Sequence, residues 1–191
     1  TQLTFSDGYT TNASPPHLAP LFGNKTLIGW SYWLRTGKSN NYKWTYYVQY
    51  QIIDSSGKVL YKPSAIKAGI YASSITSTQM SSGEIVLAWA GGSSDKRTIT
   101  YAIVSGKNYK KTKGPVSLKY SGNAGNPSNF SLTSDMTGNA IITWRDYNNQ
   151  SLFYALLGKG GAIKTKPMQY LSVQPYNGDG TEIGNYANTT Y

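Results

Sequence analysis

The chain has 191 residues, a hydrophobic fraction of 39% and no cysteine. That length supports one domain with a real core, and the absence of cysteine excludes disulfides and thiolate metal sites. The net charge of +10, from 18 basic and 8 acidic residues, admits nucleic acid, anionic glycans or an anionic surface as partners, while the lack of any long apolar run excludes a membrane-spanning helix.

Residues 1–5 (TQLTF) read as a partial strand that ends one structural unit. A first repeat follows over about residues 14–67. It opens on LFGNKTLIGW, a glycine turn at Gly23 and an apolar run closing on Trp30. Next come VQYQIID with Tyr50, a turn at Gly57, and KPSAIKA, in which Pro63 is expected to open the last strand. A second repeat, about 72–120, has a small polar strand at Ser73–Thr78, then QMSSGEIVLAW to Trp89, TITYAIVS with Tyr101, a turn at Gly106, and GPVSLKY from Pro115. The third, about 128–173, runs through Asn129–Thr133, DMTGNAIITW to Trp144, LFYALLG with Tyr154, turns at Gly160 and Gly161, and KPMQYLS from Pro167. Residues 185–190 (NYANTT) read as the first strand of a further unit.

The Trp anchors are 59 and 55 residues apart and the prolines 52 and 52. Seventeen Tyr and 5 Trp against 4 Phe, with much Ser, Thr, Asn and Gly, suit half-buried strands rather than long helices. Four strand candidates per repeat of roughly 55 residues give an all-β chain and the arithmetic of a β-propeller blade, with three full repeats plus partial ones. The same strands also allow a β-sandwich or an open repeat array. Propellers have about four to eight blades, so three repeats imply a fragment of a longer protein, or other copies or domains that complete the ring; the fragment is the favoured expectation.

One segment breaks the repeat. Between Trp30 and Tyr50 the first unit inserts WLRTGKSNNYKWTYY, whereas its counterparts read only GGSSDKR and RDYNNQ. Trp33, Arg35, Tyr42, Lys43 and Trp44 interleave aromatic rings with cations, a pattern suited to sugar stacking or a protein contact, and equally to a long hairpin folded on a neighbour. Trp33, Arg35, Tyr42 and Trp44 are the ligand-binding candidates.

No catalytic constellation accompanies them. His17, the one histidine, sits beside Pro15 and Pro16 and reads as a surface-loop residue, too isolated for a metal centre or a Ser-His-Asp triad. Asp54 and Asp135 read as turn residues bonding their own backbone, and Asp146 as a strand-end acid. GKGG at Gly158 lacks the Ser or Thr and the helix of a phosphate loop. Lysines cluster at Lys107, Lys110, Lys111 and Lys113 and at Lys159, Lys164 and Lys166, which reads as charged sheet edges that resist aggregation. Catalytic residues, cofactors, metals and nucleic acid are therefore not expected.

Five N-x-S/T sequons occur, at Asn12, Asn24, Asn129, Asn149 and Asn188, where composition alone predicts about three. They are the glycosylation candidates, with Asn24 and Asn149 in predicted turns and Asn129 near a channel-lining strand.

The stretch from Asp135 to Pro167, with Asp135, Gly138, Asn139 and Trp144, resembles repeats of large prokaryotic, archaeal-like cell-surface β-propeller proteins. The second repeat keeps Gly83 and Trp89, the first Gly23, Asn24 and Trp30. At the level of motif the resemblance covers about 35 residues, and it implies fold more than activity. The Asp-box of sialidase-like propellers does not match, because Gly138 lies three residues after Asp135 and Trp144 six after Gly138. The Cys-free, Tyr-, Thr-, Ser- and Asn-rich composition is similar to that of archaeal surface-layer and appendage proteins. The resemblance implies a non-enzymatic extracellular or cell-surface component in structure or adhesion, with surface glycans or surface-layer proteins as partners. The alternatives are a lectin-like carbohydrate-binding propeller and a non-catalytic part of a glycan-processing enzyme.

Overall fold

The computed structural model describes residues 10–36, 43–69, 71–93, 96–119, 127–135, 137–146 and 152–171. They form thirteen strands in three antiparallel sheets, with one 3-10 turn at Lys159–Gly161. Sheet 1 holds β1 (Thr10–Ala13), β2 (His17–Leu21), β3 (Lys25–Thr36), β4 (Lys43–Asp54) and β5 (Val59–Gly69). Sheet 2 holds β6 (Ala72–Gln79), β7 (Ile85–Ser93), β8 (Lys96–Val104) and β9 (Lys111–Ser117). Sheet 3 holds β10 (Pro127–Ser134), β11 (Ala140–Asp146), β12 (Leu152–Gly158) and β13 (Ala162–Leu171). The expected strands 1–5 and 185–190 lie outside the described residues.

Sheets 2 and 3 pair in chain order, and sheet 1 repeats that meander from β2 to β5. β1 was not foreseen in the sequence. It extends the first strand beyond Pro15 and Pro16, pairing with β3 at Thr10↔Leu34 and Ala13↔Tyr32. The prolines interrupt the ladder because they have no N–H. Ser14 bridges the break, its N–H donating to the Ser31 carbonyl (2.8 Å) and its Oγ accepting from the Ser31 N–H (2.9 Å).

The prolines 63, 115 and 167 do not open their strands, which begin at Val59, Lys111 and Ala162. Each lies at an extra residue in the edge strand. Register jumps from Tyr50↔Ser64 to Ile52↔Tyr61, from Tyr101↔Val116 to Ile103↔Lys113, and from Tyr154↔Met168 to Leu156↔Thr165. A second extra residue follows in each, at Ile53↔Val59, Val104↔Lys111 and Leu157↔Ile163. A bulge leaves a backbone position unpaired, where proline loses no ladder bond, and it increases the local twist. These edge strands carry Lys62, Lys67, Lys111, Lys113, Lys164 and Lys166 and no acid, the charged-edge arrangement that blocks unwanted strand addition.

The sheets stack in chain order, with β2 against β6 and β6 against β10. Alternation along each strand sends one face forward and one back. Val48, Tyr50, Ile52 and Ile66 of sheet 1 meet Ile85, Leu87, Trp89, Ala102 and Val104 of sheet 2 in one core. Ile99, Tyr101, Ile103 and Leu118 on the other face of sheet 2 meet Ala140, Ile142, Trp144, Phe153 and Leu157 of sheet 3 in a second. The repeat tryptophans Trp30, Trp89 and Trp144 are all buried.

The same polar link joins each pair of sheets. Tyr50 Oη donates to the Tyr109 carbonyl of sheet 2 (2.7 Å), and Tyr101 Oη to the Gly161 carbonyl of sheet 3 (2.8 Å). Both acceptors occupy left-handed turn positions, φ 58° and 66°. Burial pushes both phenols above their ordinary pKa, Tyr50 further because of Tyr61 beside it, which keeps them protonated donors.

His17 departs from the surface-loop expectation. It begins β2, is half-buried, and its Nε2 accepts the backbone N–H of Ser77 in β6 (3.0 Å). That bond requires the neutral ring with the proton on Nδ1. Desolvation lowers its pKa from the ordinary 6.5.

Candidate functional site

The inserted segment of the first repeat is an extension of the β3–β4 hairpin. Trp33↔Tyr46, Leu34↔Thr45, Arg35↔Trp44 and Thr36↔Lys43 continue the ladder without a break. Cross-strand partners project to the same face. Trp33, Arg35, Trp44 and Tyr46 therefore share the face that lower in the hairpin carries Val48, Tyr50 and Ile52. Three of the four ligand-binding candidates are brought together; Tyr42 lies outside the described residues.

The rings form a graded surface. Trp33 and Tyr46 lie 6.2 Å apart, tilted at 44°. Tyr46 meets Tyr71, in the link between β5 and β6, edge-on at 5.5 Å. Trp33, Trp44, Tyr46 and Tyr71 are half-buried, and Arg35 and Lys43 exposed. The opposite face carries Tyr32 stacked on Tyr47 at 5.1 Å, and desolvation followed by the Tyr47 neighbour raises the Tyr32 pKa. β1 backs this ribbon on its β3 side.

Tyr46, Tyr71, Tyr32 and Tyr47 were not among the candidates. The signal for three of them is the period of two in Tyr32-x-Leu34, Trp44-x-Tyr46 and Thr45-x-Tyr47, which a loop reading ignores. Tyr71 has no such signal, because it arrives from the next structural unit. Half-buried indole and phenol faces beside a guanidinium can stack on the C–H face of a sugar ring and donate to its oxygens.

The sequon residues are dispersed. Asn24 is exposed in the β2–β3 turn with φ 55°, Asn12 and Asn129 fall in β1 and β10, and Asn149 and Asn188 lie outside the described residues. Asp54 and Asp135 act as expected within turns. Asp54 Oδ1 accepts from Ser56 Oγ (2.7 Å) and from the Ser56 and Lys58 N–H groups. Asp135 accepts from Thr137 and from the side chain and backbone of Asn139. The Asn139 bonds, foremost, hold the Asp135 carboxyl down to about 2. Among the described residues no three His, Cys, Asp or Glu gather into a metal-binding group, and no helix is long and apolar enough to cross a membrane.

A scan of protein-family models finds no match to this chain, and no curated protein matches it either.

Proposed function

We propose that the three sheets are successive blades of a β-propeller, and that the chain serves as a non-enzymatic, extracellular or cell-surface component in structure or adhesion. The observation that carries this reading is the repetition. Three meanders with the same paired bulges stack in chain order through the same face and the same tyrosine-to-turn bond. β2, β6 and β10, the first strands of their meanders, lie side by side, as the axis-lining strands of blades do. Surface glycans or surface-layer proteins are the partners in this reading, and Asn24, exposed in a turn, is the preferred glycan acceptor. Protease shaving of intact cells of the native source, with glycopeptide mapping, tests it. Release of the chain from intact cells with hexose on Asn24 is expected; a chain protected until lysis and unmodified would sink the surface reading.

A second reading is favoured by one arrangement: the alignment of Trp33, Arg35, Trp44 and Tyr46 on a single face. It is carbohydrate binding by the β3–β4 hairpin. Titration with neutral and acidic oligosaccharides, followed by Trp fluorescence, is expected to saturate and to fail in Trp33→Ala and Trp44→Ala. Unchanged titrations in both variants would remove the hairpin from the binding site.

A further inference from the structure

We infer that Phe22 holds the first sugar of a glycan on Asn24, its phenyl ring stacking on the apolar C–H face of the pyranose. The inference rests on the reading of Asn24 as the preferred glycan acceptor. It goes beyond that reading by giving the glycan a contact on the protein.

The turn between β2 and β3 consists of Phe22, Gly23 and Asn24 and is closed by the Leu21↔Lys25 pair. Gly23 and Asn24 are both left-handed, at φ 73° and 55°, a region that asparagine enters more readily than most residues with a side chain. Sheet 2 holds the turn in place. The Phe22 N–H donates to Gln79 Oε1 of β6 (2.6 Å), and Gln79 Nε2 donates to the Gly83 carbonyl in the β6–β7 turn (2.8 Å). Lys25 Nζ lies over the Tyr109 ring, 5.7 Å from its centroid. A turn fixed in this way loses little freedom when a ligand settles on it.

Within this turn the Asn24 amide is uncommitted. Its side chain is exposed and makes no hydrogen bond among the described residues. By contrast Asn139, in the turn of sheet 3, gives its Nδ2 to Asp135 (2.7 Å) and Thr137 (2.8 Å). Asn12 and Asn129 fall within strands. Thr26, two residues after Asn24, completes the sequon. Attachment joins Asn24 Nδ2 to the anomeric carbon of a lipid-phosphate-linked saccharide; the C–O bond to phosphate breaks, and the amide gives up one proton as the phosphate leaves.

Phe22, two residues before Asn24, has no place in the packing of the sheets. It is 59% exposed and belongs to neither core. Every other described aromatic side chain is half-buried or buried. The corresponding residue in sheet 2 is Ser81, which follows Met80, whose N–H donates to the Glu84 carbonyl across that turn (2.8 Å). The turn itself therefore does not call for an aromatic ring. A pyranose on Asn24 Nδ2 stands beside Phe22 in the same turn, so the tether supplies the local concentration that a separate partner would lack. The phenyl presents a flat apolar face, the sugar ring its C–H face, and their contact removes both from water.

A thermodynamic cycle on the full chain tests the inference. Wild type and Phe22→Ala are each made without glycan in a bacterial cytosol, and with glycan by secretion from a eukaryotic host. An endoglycosidase then trims each glycan to one N-acetylglucosamine. Peptide mapping reads occupancy at Asn24, and thermal melting compares the four samples. The sugar is expected to raise the melting temperature of wild type by about 2–4 °C more than that of Phe22→Ala. Sugars on other sequons are common to both chains and cancel. Phe22→Tyr, which keeps the ring, is expected to keep the gain. Equal gains in wild type and Phe22→Ala with Asn24 occupied would overturn the contact and leave Asn24 as an acceptor. So would a Phe22→Ala loss of the same size with and without sugar, which would assign Phe22 to packing within the chain. A bare Asn24 in the secreted chain would instead strike the acceptor reading, and the inference with it.

Discussion

Sheet 2 and sheet 3 have the same strand order, the same two bulges in the third-to-fourth strand pairing, and a tyrosine at the same place in the third strand. Among the described residues sheet 2 packs against another sheet on both faces and sheet 3 on one. The sequence difference follows the packing. The backward faces are alike, with Trp89 matched by Trp144 and Val104 by Leu157. The forward faces diverge, with Ala88 and Ala90 replaced by exposed Thr143 and Arg145. A repeat unit thus keeps its folding information in the face it shares with its predecessor and varies the face that neighbours decide.

The largest way to break this comparison is at the tryptophans. Trp89 is completely buried between sheets 1 and 2, and replacing a buried Trp by Ala costs about 3–5 kcal/mol. Urea unfolding of Trp89→Ala should show that loss, whereas Leu152→Ala, on the forward face of sheet 3, should stay within about 0.5 kcal/mol as a surface change in the single chain. Next come the two turn glycines. Gly161→Ala puts a Cβ 2.6 Å from Ile103 Cγ1, and overpacking adds about 1–3 kcal/mol to the left-handed strain. Gly57→Ala, with no atom within 4 Å, carries only the strain, roughly 1–2 kcal/mol. Equal losses in the two variants would contradict the close approach of sheets 2 and 3.

Smaller still is the hydroxyl. Tyr101→Phe removes a buried bond worth about 0.5–1.5 kcal/mol, towards the lower end because Lys113 Nζ also donates to the Gly161 carbonyl, at 2.7 Å. Tyr154→Phe, whose hydroxyl meets the Met168 sulfur of its own sheet at 3.8 Å, should move the unfolding midpoint less than Tyr101→Phe. The pH dependence is the finest test. His17 has a lowered folded pKa, so its contribution is complete above the unfolded value of 6.5 and fades as pH falls through the lower folded value. His17→Gln, followed by thermal melting from neutral to mildly acidic pH, should flatten that decline. The turn carboxylate of Asp135 acts in a separate window, keeping its contribution above its ordinary 3.8 and losing it as pH falls toward about 2.

The anchors legible in the sequence were those set by the repeat. Trp30, Trp89 and Trp144 lie on second strands and Tyr50, Tyr101 and Tyr154 on third strands, because a period of two with one buried face fixes where large rings go. The prolines were legible as edge-strand residues but not as bulge residues, since a bulge is a property of pairing and leaves no local mark. β1 was hidden by Pro15 and Pro16, which end one strand segment and precede another along the same partner. The bond from Ser77 to His17 spans 60 positions and has no signature in either neighbourhood. At the candidate site Trp33, Arg35 and Trp44 were visible by type, while their common face emerged only from the β3–β4 register.

The central claim is that one packing face recurs from sheet to sheet. The chain has no cysteine, so single thiols report single positions. Thiol labelling of Ile52→Cys, Ile103→Cys and a turn control, Ser55→Cys, compares the two buried copies of one position with an exposed residue. The account predicts rapid modification at 55 and strong protection, similar in degree, at both 52 and 103. Modification at either 52 or 103 as fast as at 55 would contradict it.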